Sequence, residues 1–209
     1  MAAIPIEGLI QYDILSNGKP ISEQLNVLEF KISKGGNNLS VAEISIQPPG
    51  GNTEDFDQVF IETFANGFTV EIYLGYEGEK DFVFSGLVTN HILQMDQHSG
   101  TLQKIICTSN QTLPDITTHN VIPGPQLSFT IGVNIFELKI NRLYTTIPTI
   151  NKFSGYLKVP GTILAKPNNS IQVLNAGTTF SENILISQVT HHMIDGNWIT
   201  TINIGLDTE

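Results

Sequence analysis

Hydrophobic and polar positions alternate over much of the chain, which is the pattern of half-buried β-strands. Clear examples are 25–33, 39–46 and 68–76, each bounded by residues that favour turns. One segment, 53–66, instead places apolar residues at helical spacing and acidic residues in its first turn. It predicts a single short helix that ends at Gly67.

A polar, proline-containing stretch without periodicity separates two strand-rich parts. Residues 109–126 have this character, so we interpret them as a linker. The sequence therefore predicts a first unit over 1–108, which includes the helix near 53–66, and a second unit over 127–209.

A short motif occurs once in each part. Residues 88–92 and 189–193 share the pattern Val-Thr-x-His-apolar, and each precedes a glycine turn and an alternating strand. Because open sheet edges invite aggregation, we expect each unit to close its sheet. The predicted fold class is mainly β: two tandem antiparallel β-barrels of similar topology with one short helix.

Charge argues against a nucleic-acid partner. The chain has 209 residues and a formal net charge of −10, whereas a protein that contacts a phosphate backbone needs clustered positive charge. The start of the chain lacks the features of a signal peptide, and no apolar run approaches the roughly 18 residues that span a bilayer. We expect synthesis in the cytoplasm and no membrane insertion.

The residues that most often carry chemistry form no recognisable site. The single cysteine, Cys107, excludes an intrachain disulfide and a multi-cysteine metal centre. His191 and His192 are adjacent, so on a strand they face opposite sides and cannot chelate one ion together. The remaining histidines are His91, His98 and His119. We expect no catalytic, cofactor-binding or metal-binding residues, and no enzyme.

Two stretches resemble the hub proteins of contractile injection systems. Residues 68–76 and 84–91 look like the first barrel of that family, and the His-apolar-x-x-Gly-x-Trp-x-Thr run within 189–201 looks like the end of its second barrel. The family includes VgrG spike proteins of type VI secretion, late-control D phage tail proteins and hubs of extracellular tail-like particles. Compared with larger members, the chain looks minimal, without the insert between barrels and without the fused needle module.

The resemblance implies a structural baseplate hub that is a homotrimer. Three chains with two barrels each would present a pseudo-sixfold face to a hexameric tail tube and a threefold face to a separate trimeric spike. Other baseplate proteins would be further partners, and the product would be a tail-like particle.

Two alternatives remain open from the residues. One is a tail-tube or tube-initiator protein, which would use a single related barrel. The other is a carbohydrate-binding β module or a glycan hydrolase, suggested by aromatic residues that could lie on a surface. These are Tyr73, Tyr76, Tyr144, Tyr156 and Trp198.

Overall fold

The computed structural model of the chain describes residues 8–35, 39–47, 59–96, 100–112, 127–142, 153–177, 180 and 182–205. These ranges contain one short helix, α1 at 59–63, and thirteen strands. The strands are β1 (Ile10–Ser16), β2 (Lys19–Pro20), β3 (Asn26–Gly35), β4 (Leu39–Gln47), β5 (Thr69–Tyr76), β6 (Glu79–Asp96), β7 (Gly100–Thr112), β8 (Leu127–Thr130), β9 (Glu137–Arg142), β10 (Phe153–Pro160), β11 (Ser170–Leu174), β12 (Ile184–Ile194) and β13 (Asn197–Ile204).

Alternation and tight turns account for these elements locally. In β4, Ala42, Ile44 and Ile46 are buried on one face, as the period of two requires. Two-residue turns close three hairpins, at 17–18, 77–78 and 195–196, and both residues of each turn have positive φ. This conformation suits the twist of antiparallel strands, and a glycine in second place adopts it without steric cost.

A continuous path of paired strands joins both halves of the chain. Its order is β2-β1-β5-β6-β7-β4-β3-β12-β13-β10-β9, and β11 pairs separately with β12 and with β8. The pairings are antiparallel except that of β8 with β11, which is parallel. The pair that joins the two halves is β3 with β12.

The same six-strand order occurs twice along this path. The first half reads β1-β5-β6-β7-β4-β3, and the second half reads β8-β11-β12-β13-β10-β9. If β2 is left out and the strands of each half are numbered one to six along the chain, both halves have the spatial order 1-4-5-6-3-2. The duplication is therefore a property of the topology as well as of short motifs.

Each half surrounds a hydrophobic core. Phe30, Ile44 and Ile72 are fully buried in the first core, and Phe129 and Leu157 are fully buried in the second. Two residues of the second half, Met193 and Trp198, pack into the first core. The halves are thus coupled by shared side chains as well as by strand pairing.

The predicted mainly β, antiparallel fold with one short helix is confirmed. The helix is described over 59–63, and the rest of its predicted start lies outside the described residues. β7 continues to Thr112 and pairs with β4 there, so the first residues of the predicted linker 109–126 belong to this strand. Residues 113–126 lie outside the described ranges, and the division into units 1–108 and 127–209 stays a prediction.

The described sheet does not close. Instead of two separate rings of strands, β2 and β9 stand at the two ends of one path. The parallel pairing of β8 with β11 also departs from the antiparallel expectation, since the equivalent pair of the first half, β1 with β5, is antiparallel.

Candidate assembly interface

The two matched histidines make framework contacts. His91 Nε2 lies 2.7 Å from the carbonyl oxygen of Phe64, and its ring packs 5.4 Å from that of Phe60. His192 Nε2 lies 3.3 Å from Glu29 Oε2 on β3. Both contacts tie a strand to its neighbours, which favours a structural role for these side chains. His98 and His119 lie outside the described side chains.

His191 is buried between strands. Its side chain is 2% exposed, and its Nδ1 lies 3.3 Å from Thr200 Oγ1 on β13. Burial, together with repulsion from Lys34, lowers the pKa of His191 to about 3. The ring is therefore neutral near pH 7 and has no access to a substrate.

Cys107 is equally withdrawn from solvent. Burial raises the pKa of its thiol to about 12, which makes it a poor nucleophile and a poor metal ligand. Within the described ranges, no group of three or more His, Cys, Asp or Glu side chains is placed to hold a metal ion.

A groove of about 440 Å³ lies where the two halves meet. Its walls include Tyr76, Trp198 and three acidic side chains, Glu77, Glu79 and Asp81. Trp198 is only 4% exposed, and its ring stacks on that of Tyr76 at 5.3 Å with an interplanar angle of 27°. The indole face is occupied by this contact and is not available to stack on a sugar.

The seam between the halves is closely packed. β3 and β12 pair from Gly35 opposite Gln188 to Glu29 opposite Ile194. A Cβ atom on Gly35 would overlap the carbonyl oxygen of Ser187, so only glycine permits this approach. Close packing holds β3 and β12 in one arrangement. We call this pairing of β3 with β12 the joint between the two halves.

β12 divides one of its edges between two partners. Ile184 and Leu185 pair with β11, and after a bulge at Ser187 the same edge pairs with β3 over residues 188–194. The opposite edge of β12 pairs with β13. A β-bulge bends its strand and increases the local twist, which lets β12 leave one half and join the other.

The strand edges without a backbone partner among the described residues include one on β6 and one on β9. β6 pairs with β5 as far as Leu87, and Val88 bonds to residues 67–68, but from Thr89 onward that edge is open. β9 pairs with β10 and has no partner on its other edge. Unpaired strand edges are templates for pairing with another chain.

Exposed apolar side chains lie at these same edges. On the open part of β6, Ile92 is 41% and Leu93 is 64% exposed. Beside β9, Val133 and Phe136 are each 66% exposed. Exposed apolar groups next to open strand edges are typical of surfaces that contact other proteins. Within the described part of the chain, no helix is long and apolar enough to cross a membrane.

The model of the family described as the Alg8 N-terminal domain matches residues 6–120, which is more than half of the chain. The chain belongs to this family. This membership covers the first half of the sheet and reaches beyond β7. The narrower resemblance to a minimal VgrG or late-control D hub stays a prediction. No curated protein matches the chain.

Solved tail proteins share the fold of this family member. The 43 kDa tail protein of prophage MuSo2 from Shewanella oneidensis is 9% identical, with 94% of this chain and 98% of that chain covered and a TM-score of 0.64. A tail protein from Neisseria meningitidis MC58 is 8% identical, with coverage of 95% and 97% and a TM-score of 0.61.

A third similar structure is the E. coli c3393 protein, described as a component of the type VI secretion system with structural similarity to the T4 bacteriophage tail proteins gp27 and gp5. It is 9% identical, with 95% of this chain and 77% of that chain covered and a TM-score of 0.53. At such identities the likeness shows a shared fold.

Sequence reasoning missed both the joint and the open edges. The alternation of β6 and β12 predicts strands, but it does not show which neighbour each edge receives. A usable signal was present in the similar segments at 26–34 and 134–142, which are compared below.

Proposed function

We propose that the chain is a structural, non-enzymatic component of a phage-tail-like contractile injection machine, and that it acts there as a homotrimeric baseplate hub. The observation that carries this proposal is the six-strand order that occurs twice in one chain. Three copies would place six similar units around an axis, which matches a hexameric tail tube, while the true threefold axis suits a trimeric spike.

Similarity to tail proteins supports the same role. The three solved structures are described as tail proteins or as a type VI secretion component, and they match at least 94% of this chain. A separate spike protein and other baseplate proteins would be the remaining partners. The assembled product would be a tail-like particle.

Charge gives the hub a means of recognising its partners. A net charge of −10 per chain disfavours nucleic acid and would steer association with a basic partner surface. Binding to the tube protein should then weaken as ionic strength rises, because exposed charges separated by more than the Debye length are screened.

The proposal is tested by measuring mass and symmetry. At high concentration the chain alone should sediment as a species with three times the 22.9 kDa mass of one chain, and with the tail-tube protein it should sediment in a heavier complex that contains three copies. Electron microscopy of that species should show six similar densities around an axis. A mass of one chain under both conditions contradicts the proposal.

A tail-tube or tube-initiator protein is the nearest alternative. Such proteins use one related barrel per subunit, whereas two units per chain favour a hub. Sixfold rings of six chains, rather than three, would favour this alternative.

A carbohydrate-binding module is the alternative of another class, and the structure gives it little support. Trp198 and Tyr76 stack on each other, and the Tyr156 hydroxyl bonds to Glu137. A glycan screen with a clear hit that Trp198→Ala removes without unfolding the protein would revive it.

A further inference from the structure

The bulges define which residues of the two halves correspond. β6 has a one-residue bulge against β7 at Thr89, and β12 has one against β13 at Ser187. Since both are the fifth strand of their half, these bulges are equivalent positions. A bulge disrupts the ladder at one site, so it marks that site unambiguously.

Backbone hydrogen bonds confirm this correspondence. Val88, just before the first bulge, exchanges two bonds of 2.9 Å with residues 67–68. Ile186, just before the second bulge, exchanges bonds of 3.0 and 2.9 Å with residues 168–169. Gly67 and Asn168 both have positive φ. The correspondence pairs Val88 with Ile186, so the Val-Thr-x-His motifs are not structurally equivalent and lie three residues apart.

When the strand registers are followed from each bulge, strand by strand across the sheet, the same correspondence extends to β3 and β9. Residues 26–34 read NVLEFKISK, and residues 134–142 read NIFELKINR. Four of the nine positions are identical, and the other five keep their chemical class, so the segments that contain β3 and β9 are similar in sequence as well as in position. Their surroundings nevertheless differ, because β12 covers the outer edge of β3 and no described strand covers that of β9.

The open edge of β6 is the counterpart of the edge of β12 that β3 covers. β12 pairs with β3 directly after its bulge, over residues 188–194. The equivalent part of β6, residues 90–96, has no partner on that edge among the described strands. Each chain thus contains one filled joint, in which β3 pairs with β12. It also contains the two open edges, on β9 and on β6, that are equivalent to the two strands of this joint.

We propose that β9 of one copy pairs antiparallel with β6 of the next copy, beyond Thr89, in the way that β3 pairs with β12 within one chain. This inference rests on the proposed homotrimer, and it states which two strands pair between its copies. In the filled joint, Ile32 lies opposite His191 and Lys31 opposite His192. The equivalent contacts between copies bring Ile140 opposite Leu93 and Lys139 opposite Gln94.

The side chains fit this joint. Leu93 is 64% exposed, although the equivalent His191 is 2% exposed. Leu138 and Ile140 are only partly buried against the second core, whereas their equivalents Phe30 and Ile32 are fully buried. Pairing with a second copy would cover all three. The contact is head-to-tail, so it generates a ring where the rotation between copies closes, and three copies in such a ring would give six similar joints.

A disulfide test addresses the register directly. In the double variant Gln94→Cys with Lys139→Cys, both positions are exposed and, by the proposal, directly opposite between copies. Mild oxidation should link copies covalently, since opposite residues on paired strands lie within disulfide range. Buried Cys107 should not compete.

Two matched double variants serve as controls. Lys31→Cys with His192→Cys occupies the equivalent positions of the filled joint and should form a disulfide within one chain. Phe82→Cys with Lys139→Cys places one thiol on the part of β6 that pairs with β5, well before the bulge at Thr89, and should not link copies.

A charge test addresses the energetics. Leu93→Asp should weaken association by about 10- to 100-fold, because the joint buries this side chain. Phe82→Asp is the matched control, since Phe82 is 55% exposed and lies on the part of β6 that already pairs with β5. Both variants should keep the thermal stability of the single chain.

The outcomes separate this inference from the proposed function. If the unmodified chain is trimeric while Leu93→Asp stays trimeric and Gln94→Cys with Lys139→Cys forms no links, the joint is wrong and the hub proposal stands. If the unmodified chain is monomeric alone and with tube protein, the hub proposal fails. Links between copies in open filaments would support the joint and contradict the closed trimer.

Discussion

His191 and Trp198 have roles that their residue types do not reveal. A histidine beside another histidine suggests chemistry, and a lone tryptophan in an alternating strand suggests a binding surface. In the structure His191 is a neutral buried side chain next to Thr200, and Trp198 packs on Tyr76. Their burial depends on strands distant in sequence, which is why sequence patterns assign it poorly.

His191 makes the stability of the fold depend on pH. Its pKa is about 3 in the folded chain and about 6.5 when unfolded. Between these values the unfolded chain binds more protons at this site, so stability falls as pH falls, on the order of 1.4 kcal/mol per pH unit. Urea unfolding at pH 7, 6 and 5 should show a smaller loss of stability between pH 7 and 6 than between pH 6 and 5, where the slope approaches this limit.

The variant His191→Gln is the control for this slope. It lacks the titrating group, so its stability should change less over the same range. Lys34 does not obscure the comparison, because burial, with a smaller effect of Lys166, lowers its pKa to about 8. Its own contribution changes only above that pH. Equal slopes for the two proteins would contradict the assignment.

At the scale of elements, the alternating pattern predicts the strands but not their partners. β12 reads as an ordinary strand in the sequence, yet it pairs with β11 before Ser187 and with β3 after it. The change of partner depends on the bulge and on the close approach of Gly35. Neither has a periodic signal, because each is a single-residue adjustment between remote segments.

Gly35→Ala should loosen the joint between β3 and β12. A Cβ atom there would meet the backbone of residues 187–188, and Gly35 has a φ of 141° that other residues avoid. We expect a loss of about 2–3 kcal/mol in unfolding free energy and faster amide hydrogen exchange in β3 and β12.

Gly132→Ala is the matched control for this prediction. Gly132 also has a positive φ, of 81°, but a Cβ atom on it would meet no atom within 4 Å. It should therefore lose only about 1–2 kcal/mol. If the two variants are equally stable, the close approach at Gly35 does not hold the joint.

At the scale of the whole molecule, the two halves share more than a connecting segment. Met193 and Trp198 belong to the second half in sequence and to the first core in space. β3 and β12 add a continuous ladder between the halves. Such coupling favours unfolding as one cooperative unit.

The single tryptophan offers a test of this coupling. Trp198 fluorescence reports the first core and the seam, and circular dichroism reports all strands. Their urea transitions should coincide, and the emission should be that of a buried indole. A Trp198 transition clearly separate from that of the strands would mean that the halves unfold independently.

The repeat shows how far sequence reasoning reached. The Val-Thr-x-His motifs correctly indicated a duplicated β unit, but they aligned the halves three residues out of register. The better signal was the pair NVLEFKISK and NIFELKINR, at 26–34 and 134–142. These segments become comparable once the bulges at Thr89 and Ser187 set the correspondence.

The sequence by itself determined the β-rich class, most strand positions and the existence of a duplication, because alternation and turn residues act locally along the chain. The tertiary structure alone decided which copy of the repeated segment is covered. β3 pairs with β12 of its own chain, whereas one edge of β9 and one edge of β6 beyond Thr89 have no described strand beside them. Pairing between distant strands depends on their arrangement in space, and the same nine-residue pattern is compatible with either outcome.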